Sequence, residues 1–301
     1  MGLHLLWKER GLGSQDLLGL HKKAQGLPGK GRTGIGHTGT LDPFAEGWLL
    51  VGTGEGTKLL SALQGLDKTY EATLFFGATT VPLDDTEDLR WPEDPAWQPF
   101  PGSSQPDIEG QLRAFLAQQI GRAEQVPPAH SAVRVEGKRS YEWARAGTPK
   151  EMKSRPFEIF ETEHLGYRAA TQEGRSIGFW RFRVRASAGT YIRSFARDWG
   201  LALTGFPGHL VKLVRTEVGG LGRGLPPTAH RLQMQDLQGL MDFGLLNETA
   251  AQALRAHGQW HPRPCARSTL LWASEATGVV AYAEAPDGKL GRVFLSDPFR
   301  D

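Results

Sequence analysis

The stretch Gly36 to Gly47 reads GHTGTLDPFAEG and carries the most suggestive chemistry in the chain. Its glycines and its proline impose an irregular backbone. Asp42 precedes Pro43, and the proline ring pushes the residue before it away from helical geometry. A carboxylate held in such a loop is a candidate for chemistry. The same residue can instead cap a short helix, with Pro43 at the first position and Gly47 ending it, a role worth about 1 kcal/mol. The segment alone leaves both readings open. Other candidate sites fall short. Leu49 to Lys58 (LLVGTGEGTK) completes neither glycine-rich phosphate motif, because Thr57 stands where each needs another residue. His257 and His261 are four apart with no evident third metal ligand. Asp84, Asp85, Glu87 and Asp88 read as a solvated turn.

The elements that must position these residues follow from periodicity. Tyr70, Ala72, Leu74 and Phe76 alternate as one face of a strand. From Trp180 to Arg185, apolar residues alternate with arginines, so a strand there buries Trp180, Phe182 and Val184 and presents three guanidinium groups on its other face. A turn at Ser187 to Gly189 leads into a helix from about Tyr191 to Leu203, with Arg193 in its first turn. A second helix is expected from Asp107, as its cap, to Gly121. Arg90 to Pro106 is a turn-rich surface insertion, and Pro127-Pro128 forces extended structure. A boundary falls near Gly219 to Pro227. Beyond it come a helix capped by Asn247 and running to about His257, then two strand-like runs, Gly278 to Ala285 and Leu290 to Leu295, joined as a hairpin. The order suits a mixed α/β (α+β) body over residues 1–227, with an acidic, proline-rich insertion at about 84–109, and a small C-terminal part over 228–301, a helix plus a β module.

Composition bounds the classes. A chain of 301 residues has a prior of about two domains. Hydrophobic residues at 39% and charged residues at 23% argue against wholesale disorder. Cys265 is the single cysteine, which excludes an intrachain disulfide and points to a reducing cytoplasm. No apolar run approaches the roughly 18 residues of a membrane span, and Leu3 to Trp7 is too short for a signal peptide. Net charge is only +2, but the charges are uneven. Leu17 to Leu41 holds four bases and no acid, and Leu165 to Arg197 holds seven arginines against Glu173. Asp84 to Glu109 holds eight acids against Arg90. Two basic patches and an acidic one suggest a polyanion-facing surface and a face turned away, although a solvated charge mosaic gives the same counts.

The GHTGTLDPFAEG segment closely resembles the catalytic motif of the TruB family of tRNA pseudouridine synthases, GHTGTLDPxAxG. Four further matches follow in the family's order. These are Lys68-Thr69-Tyr70; Gln125-Val126-Pro127-Pro128 with Ser131, Ala132, Gly137 and Tyr141; Gly189-Thr190-Tyr191-Ile192-Arg193; and Leu213 with Arg215. Together they cover roughly residues 30 to 220. Two motifs depart from the family. Its opening KPxGxTSxD appears as Lys8 to Asp16 (KERGLGSQD), without the proline and threonine. Its TDTxD reads Thr80-Val81-Pro82-Leu83-Asp84, which loses an Asp-Thr pair.

The resemblance implies a catalytic domain of the pseudouridine synthase type, built on a largely antiparallel sheet. It also implies a C-terminal run from about Ser268 that resembles a PUA-type RNA-binding module. The implied activity is conversion of uridine 55, in the TΨC loop of transfer RNA, to pseudouridine, with no cofactor and no metal. Asp42 is then the nucleophile. A buried carboxylate tends to stay protonated, so it needs a cation, for which Arg193 is the candidate. Tyr70 stacks on the uracil and is a candidate proton acceptor. His37 packs into the opened RNA loop, Leu213 lines the uracil pocket, and Tyr191 and Lys68 count with the RNA- and substrate-binding residues. The implied partner is the TΨC stem-loop of transfer RNA, bound by a monomer that needs no protein partner and no membrane. Two alternatives remain: a tRNA-binding folding factor with weak or lost catalysis, and a guide-RNA-dependent relative.

Overall fold

A computed structural model describes residues 2–27, 34–131, 133–148 and 150–237, together with the strand residues 242–245, 269–273, 280–284 and 289–294. The chain opens with β1 (Gly2–Lys8), α1 (Ser14–Ala24), β2 (Ile35–His37) and β3 (Glu46–Thr53). A 3₁₀ turn over Gly54–Leu59 and the short α2 (Leu60–Leu63) lead to β4 (Lys68–Phe76). Then come α3 (Gln105–Ala117), β5 (Gly121–Gln125), the two-residue strands β6 (Arg134–Val135) and β7 (Lys138–Arg139), and α4 (Ser140–Arg145). The long hairpin β8 (Arg155–Gln172) and β9 (Arg175–Ala186), α5 (Ile192–Thr204), β10 (His209–Val218) and β11 (His230–Arg231) complete this body.

One nine-stranded sheet runs β11-β1-β3-β10-β4-β9-β8-β5, with β2 paired to β3. Every pairing in it is antiparallel except β3 with β10, where Glu46 faces Val214 and Gly47 faces Arg215. The expected mixed, largely antiparallel architecture is therefore present. Alternation along β4 and β9 buries Ala72, Leu74, Phe76, Trp180, Phe182 and Val184 on one face, where α3 and α5 cover them with Leu112, Phe195 and Trp199. Trp199 stacks on Phe195 at 4.5 Å between ring centres. Each such large apolar side chain contributes roughly 1.5–3 kcal/mol on burial, so this packing sets the angle of α5 against the sheet. Beside it, Leu3, Leu5, Trp48 and Leu50 form a second cluster that also takes in Leu232 and Leu237.

Several expectations change. The helix expected from Asp107 to Gly121 begins two residues earlier, behind Ser104, whose hydroxyl bonds the Asp107 carboxylate inside the first turn. It ends at Ala117; Gly121 instead opens β5 at a φ of +118°, which only glycine takes at little cost. Asp42 caps no helix. The Ala45 N–H closes a turn onto the Asp42 carbonyl at 3.1 Å, and Gly47 lies in β3. A Cβ on Gly47 would stand 2.3 Å from the Arg215 carbonyl oxygen, so the β3–β10 crossing itself demands glycine. Arg181, Arg183 and Arg185 of β9 do project from the open face of the sheet, but Arg183 and Arg185 are neutralised there. Arg183 pairs with Glu71 (2.6 Å) and Glu163, and Arg185 with Asp67 (2.9 Å) and Glu161 (2.7 Å). The sheet also extends past residue 227, since His230 and Arg231 pair with β1.

A separate four-stranded sheet contains β12 (Asp242–Leu245), β13 (Thr269–Ala273), β14 (Val280–Glu284) and β15 (Lys289–Phe294), in that order. The expected antiparallel pair corresponds to β14 and β15. The helix expected after Asn247, the residues around His257 and His261, and the hairpin turn lie outside the described residues. Among the described residues no helix is long and apolar enough to cross a membrane.

Candidate active site

The Asp42 loop is gripped from the start of the chain. The Ser14 hydroxyl accepts the Leu41 N–H and donates to the Leu41 carbonyl, both at 2.9 Å. The Gly11 N–H donates to the Pro43 carbonyl at 2.7 Å. The fully buried Lys8 ammonium reaches the carbonyls of Ala45 (2.5 Å), Leu12 (2.8 Å) and Glu9 (3.1 Å). These residues belong to the first departing motif, and its retained members, Lys8, Gly11 and Ser14, make the contacts. Burial pulls the Lys8 pKa down from its usual value to about 8, against the opposing pull of Asp42 and Glu46. Between about pH 8 and the unfolded value of 10.5 the unfolded chain therefore binds the extra proton, and this group makes stability rise with pH across that window. Lys8→Met should cost about 2–4 kcal/mol by leaving buried carbonyls unpaired. It should also lose that part of the pH slope, which urea titrations at pH 7, 8 and 9.5 would measure.

Asp42 itself is 35% exposed at the side chain, and Arg193, in the first turn of α5, is 4% exposed. Their closest atoms, Asp42 Oδ2 and Arg193 Nε, are 2.8 Å apart, an ion pair without the alignment of a hydrogen bond. The rest of the guanidinium is fixed from two sides. Nη1 donates to the Pro82 carbonyl (2.7 Å) and lies 3.5 Å from Asp84 Oδ2; Nη2 donates to the His130 carbonyl (2.7 Å). The Val81-Pro82 departure thus leaves a backbone acceptor in place. It also corrects the reading of Asp84 as solvated. Asp84 is 5% exposed, and its Oδ1 accepts from the Thr86 N–H (3.2 Å) and hydroxyl. The signal for it was the surviving last aspartate of the Thr80–Asp84 motif.

A cavity of about 440 Å³ opens beside the ion pair. Asp42, Tyr70, Leu213, Tyr191, Lys68 and Arg193 all line it. Tyr70 comes from β4 and Leu213 from β10, both nearly buried. Tyr191 caps α5, its N–H donating to Gln125 Oε1 at 3.3 Å, and burial pushes its phenol up from the ordinary value. The Lys68 ammonium is turned toward backbone, bonding the carbonyls of Leu66 (2.5 Å) and Gln64 (3.1 Å). Burial and the Arg215 charge bring it down to about 8. Arg215 donates to the carbonyls of Trp48 (2.7 Å) and Gly39 (3.1 Å) and so ties β10 to the Asp42 loop. His37 is not among the lining side chains. It sits half-buried on β2 with its Nδ1 accepting the Gly39 N–H at 3.1 Å, and burial lowers its pKa.

Sequence reasoning missed the basic surface at the mouth. A second depression of about 480 Å³ lies on the other side of the Asp42–Arg193 pair, lined also by Arg139, Tyr141 and Arg145. The β6–β7 hairpin, α4 and the chain after them carry seven bases between residues 134 and 155 against three acids. Trp143 sits between the ammonium groups of Lys138 and Lys150, each 4.8 Å from its ring. Gly137 and Tyr141 mark this segment as part of a motif, and the signal for its basic face is the charge density of residues 134–155.

The family model for the N-terminal domain of TruB family pseudouridylate synthases matches residues 30–192, more than half of the chain. The chain belongs to the TruB family. The TruB match takes in Asp42 and Tyr70 and stops one residue before Arg193. A tRNA pseudouridine synthase B of Thermus thermophilus is 40% identical over 214 residues, covering 62% of this chain and 65% of that protein. One of Bordetella avium is 41% identical over 220 residues, covering 72% of this chain and 81% of the relative. The chain thus spans just under two thirds of the Thermus protein. Among solved structures, a Cbf5-Nop10-Gar1 complex matches with a TM-score of 0.60 at 20% identity, covering 99% of this chain and 86% of that one. An H/ACA RNP bound to a substrate RNA containing 2'-deoxyuridine matches with a TM-score of 0.58 at 19% identity, covering 100% and 87%. Both likenesses establish the fold.

Proposed function

We propose that this protein isomerises uridine 55 in the TΨC loop of transfer RNA to pseudouridine, acting as a monomer in the cytoplasm without a cofactor or a protein partner. The observation that carries this reading is the Asp42–Arg193 ion pair, 2.8 Å apart at the edge of a cavity of about 440 Å³ on a TruB-family scaffold. Relatives at about 40% identity bear the name tRNA pseudouridine synthase B, which supports transfer RNA as the substrate class.

The chemistry runs as follows. The target base is flipped out of its loop at a cost of a few kcal/mol. Asp42, beside the permanent charge of Arg193, attacks the ribose carbon, and the base leaves with the electron pair of its glycosidic bond. Tyr70 and Leu213 hold the detached ring while it turns. It rejoins through carbon 5 as the Asp42–ribose bond breaks and frees the carboxylate; the carbon-5 proton passes to a base, with Tyr70 as candidate, and then to water, while the former glycosidic nitrogen takes up a proton. The basic β6–β7 and α4 surface meets phosphates, so affinity should fall by about 0.7–0.9 log units per contact for each tenfold rise in salt.

The departures at Glu9, Gly13, Val81 and Pro82 motivate the second reading, a tRNA-binding folding factor with weak or lost catalysis. Against it stands the ion pair itself, which Asp84 and the Pro82 and His130 carbonyls fix in place. Tritium release from transfer RNA labelled at uridine carbon 5, with the purified protein alone, separates the two. The expected result is one proton per tRNA, lost when the TΨC-loop uridine is replaced. Tight binding with no release would reject the isomerase. A need for added proteins or a guide RNA would favour a guide-dependent relative.

A further inference from the structure

Ser131 belongs to the Gln125–Tyr141 motif, and no part of the reaction described above uses it. Its side chain is 5% exposed, and its Oγ is buried with no hydrogen-bond partner among the described residues. Folded proteins rarely leave a buried hydroxyl unpaired, because its lost hydration goes uncompensated. The strain of leaving it so is imposed by a firmly held backbone. The Ser131 carbonyl accepts the Tyr141 N–H at 3.1 Å, and the preceding carbonyl, of His130, accepts from Arg193. Ser131 lines both depressions that flank the Asp42–Arg193 pair. Beside it lies the phenol of Tyr191, within interaction range of the Ser131 hydroxyl, and burial pushes its pKa up from the ordinary value, so it stays protonated. Two neutral hydroxyls therefore stand side by side in the lining of one cavity, and a bond between them still leaves one O–H to donate to a ligand.

We infer that the Ser131 hydroxyl and the Tyr191 phenol form a donor pair for a carbonyl oxygen of the reacting uracil. The inference rests on the isomerase reading and names the groups that receive the detached base. When Asp42 Oδ bonds the ribose carbon and the carbon–nitrogen bond breaks, the electron pair stays on the ring nitrogen. One negative charge moves from the carboxylate to the uracil and spreads onto its carbonyl oxygens. Arg193 is committed to Asp42, Asp84 and two backbone carbonyls. Fixed donors aimed at charge that develops only during the reaction stabilise the transition state more than the ground state.

The test compares wild type, Ser131→Ala and Ser131→Thr in single turnover, following consumption of the target nucleoside in tRNA that carries either uridine or 5-fluorouridine there. Ser131→Ala should slow the uridine reaction on the order of 10–100-fold, as loss of one such donor does elsewhere. Its tRNA affinity should be unchanged and its melting temperature close to that of wild type, since Ser131 Oγ makes no well-formed hydrogen bond among the described residues beyond its approach to the Tyr191 phenol. Ser131→Thr, which keeps the hydroxyl, should recover most of the rate. Fluorine withdraws electrons and makes the base a better leaving group, so the Ala defect should be several-fold smaller on 5-fluorouridine. A wild-type rate in Ser131→Ala would overturn the inference, as would equal losses on both substrates with a lowered melting temperature, which would mark a packing role. If the wild type itself consumes no uridine, the isomerase reading falls and takes this inference with it.

Discussion

Asp42→Asn should abolish tritium release while leaving tRNA binding within a few-fold of wild type. The substitution keeps the volume and the turn, whose closing bond joins the Asp42 carbonyl to the Ala45 N–H and uses no side-chain atom. It removes the nucleophile and the charge 2.8 Å from Arg193 Nε. Had Asp42 been a helix cap, asparagine would have served as well and stability would have been unchanged. Because it instead faces a buried guanidinium, a loss of about 1–2 kcal/mol is expected, moderated by its partial exposure and by Asp84, which remains 3.5 Å from Nη1. Turnover by the asparagine variant at more than about a thousandth of the wild-type rate would sink the nucleophile assignment. A stopped assay and a thermal melt on the same preparation are sufficient.

Arg193→Met should be the most damaging substitution in the chain. The residue is 4% exposed and meets two carboxylates and two carbonyls, contributed by the Asp42 loop, the Thr80–Asp84 segment and His130. Removing it leaves Asp84 buried with Thr86 as its remaining hydrogen-bond partner among the described residues and lets the Asp42 side chain wander. Breaking a buried pair from one side costs about 3–5 kcal/mol, which is a large share of ordinary domain stability. Arg193→Lys separates charge from geometry. A lysine keeps the positive charge but cannot reach four acceptors held in the plane of a guanidinium. It should therefore fold at a cost of about 1–3 kcal/mol and still lose at least 100-fold in rate, since small misplacements of a reacting group carry that penalty. If Arg193→Lys turned over normally, the ion pair would matter only as charge, and the positioning argument for Pro82 and His130 would be wrong.

The local patterns were legible because they need only neighbours. Period-two alternation marked the buried faces of β4 and β9, and a 3.6-residue period marked α5 with Arg193 at its start. The resemblance to TruB motifs named Asp42, Tyr70, Leu213, Tyr191, Lys68 and Arg193, and all six line one cavity. His37, named with them, turned out to brace Gly39 beside that cavity.

What went unread depended on partners distant in sequence. The arginines of β9 looked like a polyanion-binding patch. Only strand register showed Glu71 and Glu163 flanking Arg183, with Glu71 112 positions away along the chain. Asp84 looked solvated because the residue that covers its charge, Arg193, comes from α5, far along the chain. The choice between cap and turn at Asp42 was likewise not local. Asp-Pro forbids little beyond helix before the proline, and it was Lys8, Gly11 and Ser14, arriving from β1 and α1, that captured the backbone on either side of Asp42. The sequence by itself determined which residues have the right chemistry and which faces of the strands and helices are apolar. Those depend on side-chain type and short-range period alone. The tertiary structure decided which charges meet. A salt bridge is made by approach in space, and the sheet brings together groups that the chain keeps far apart.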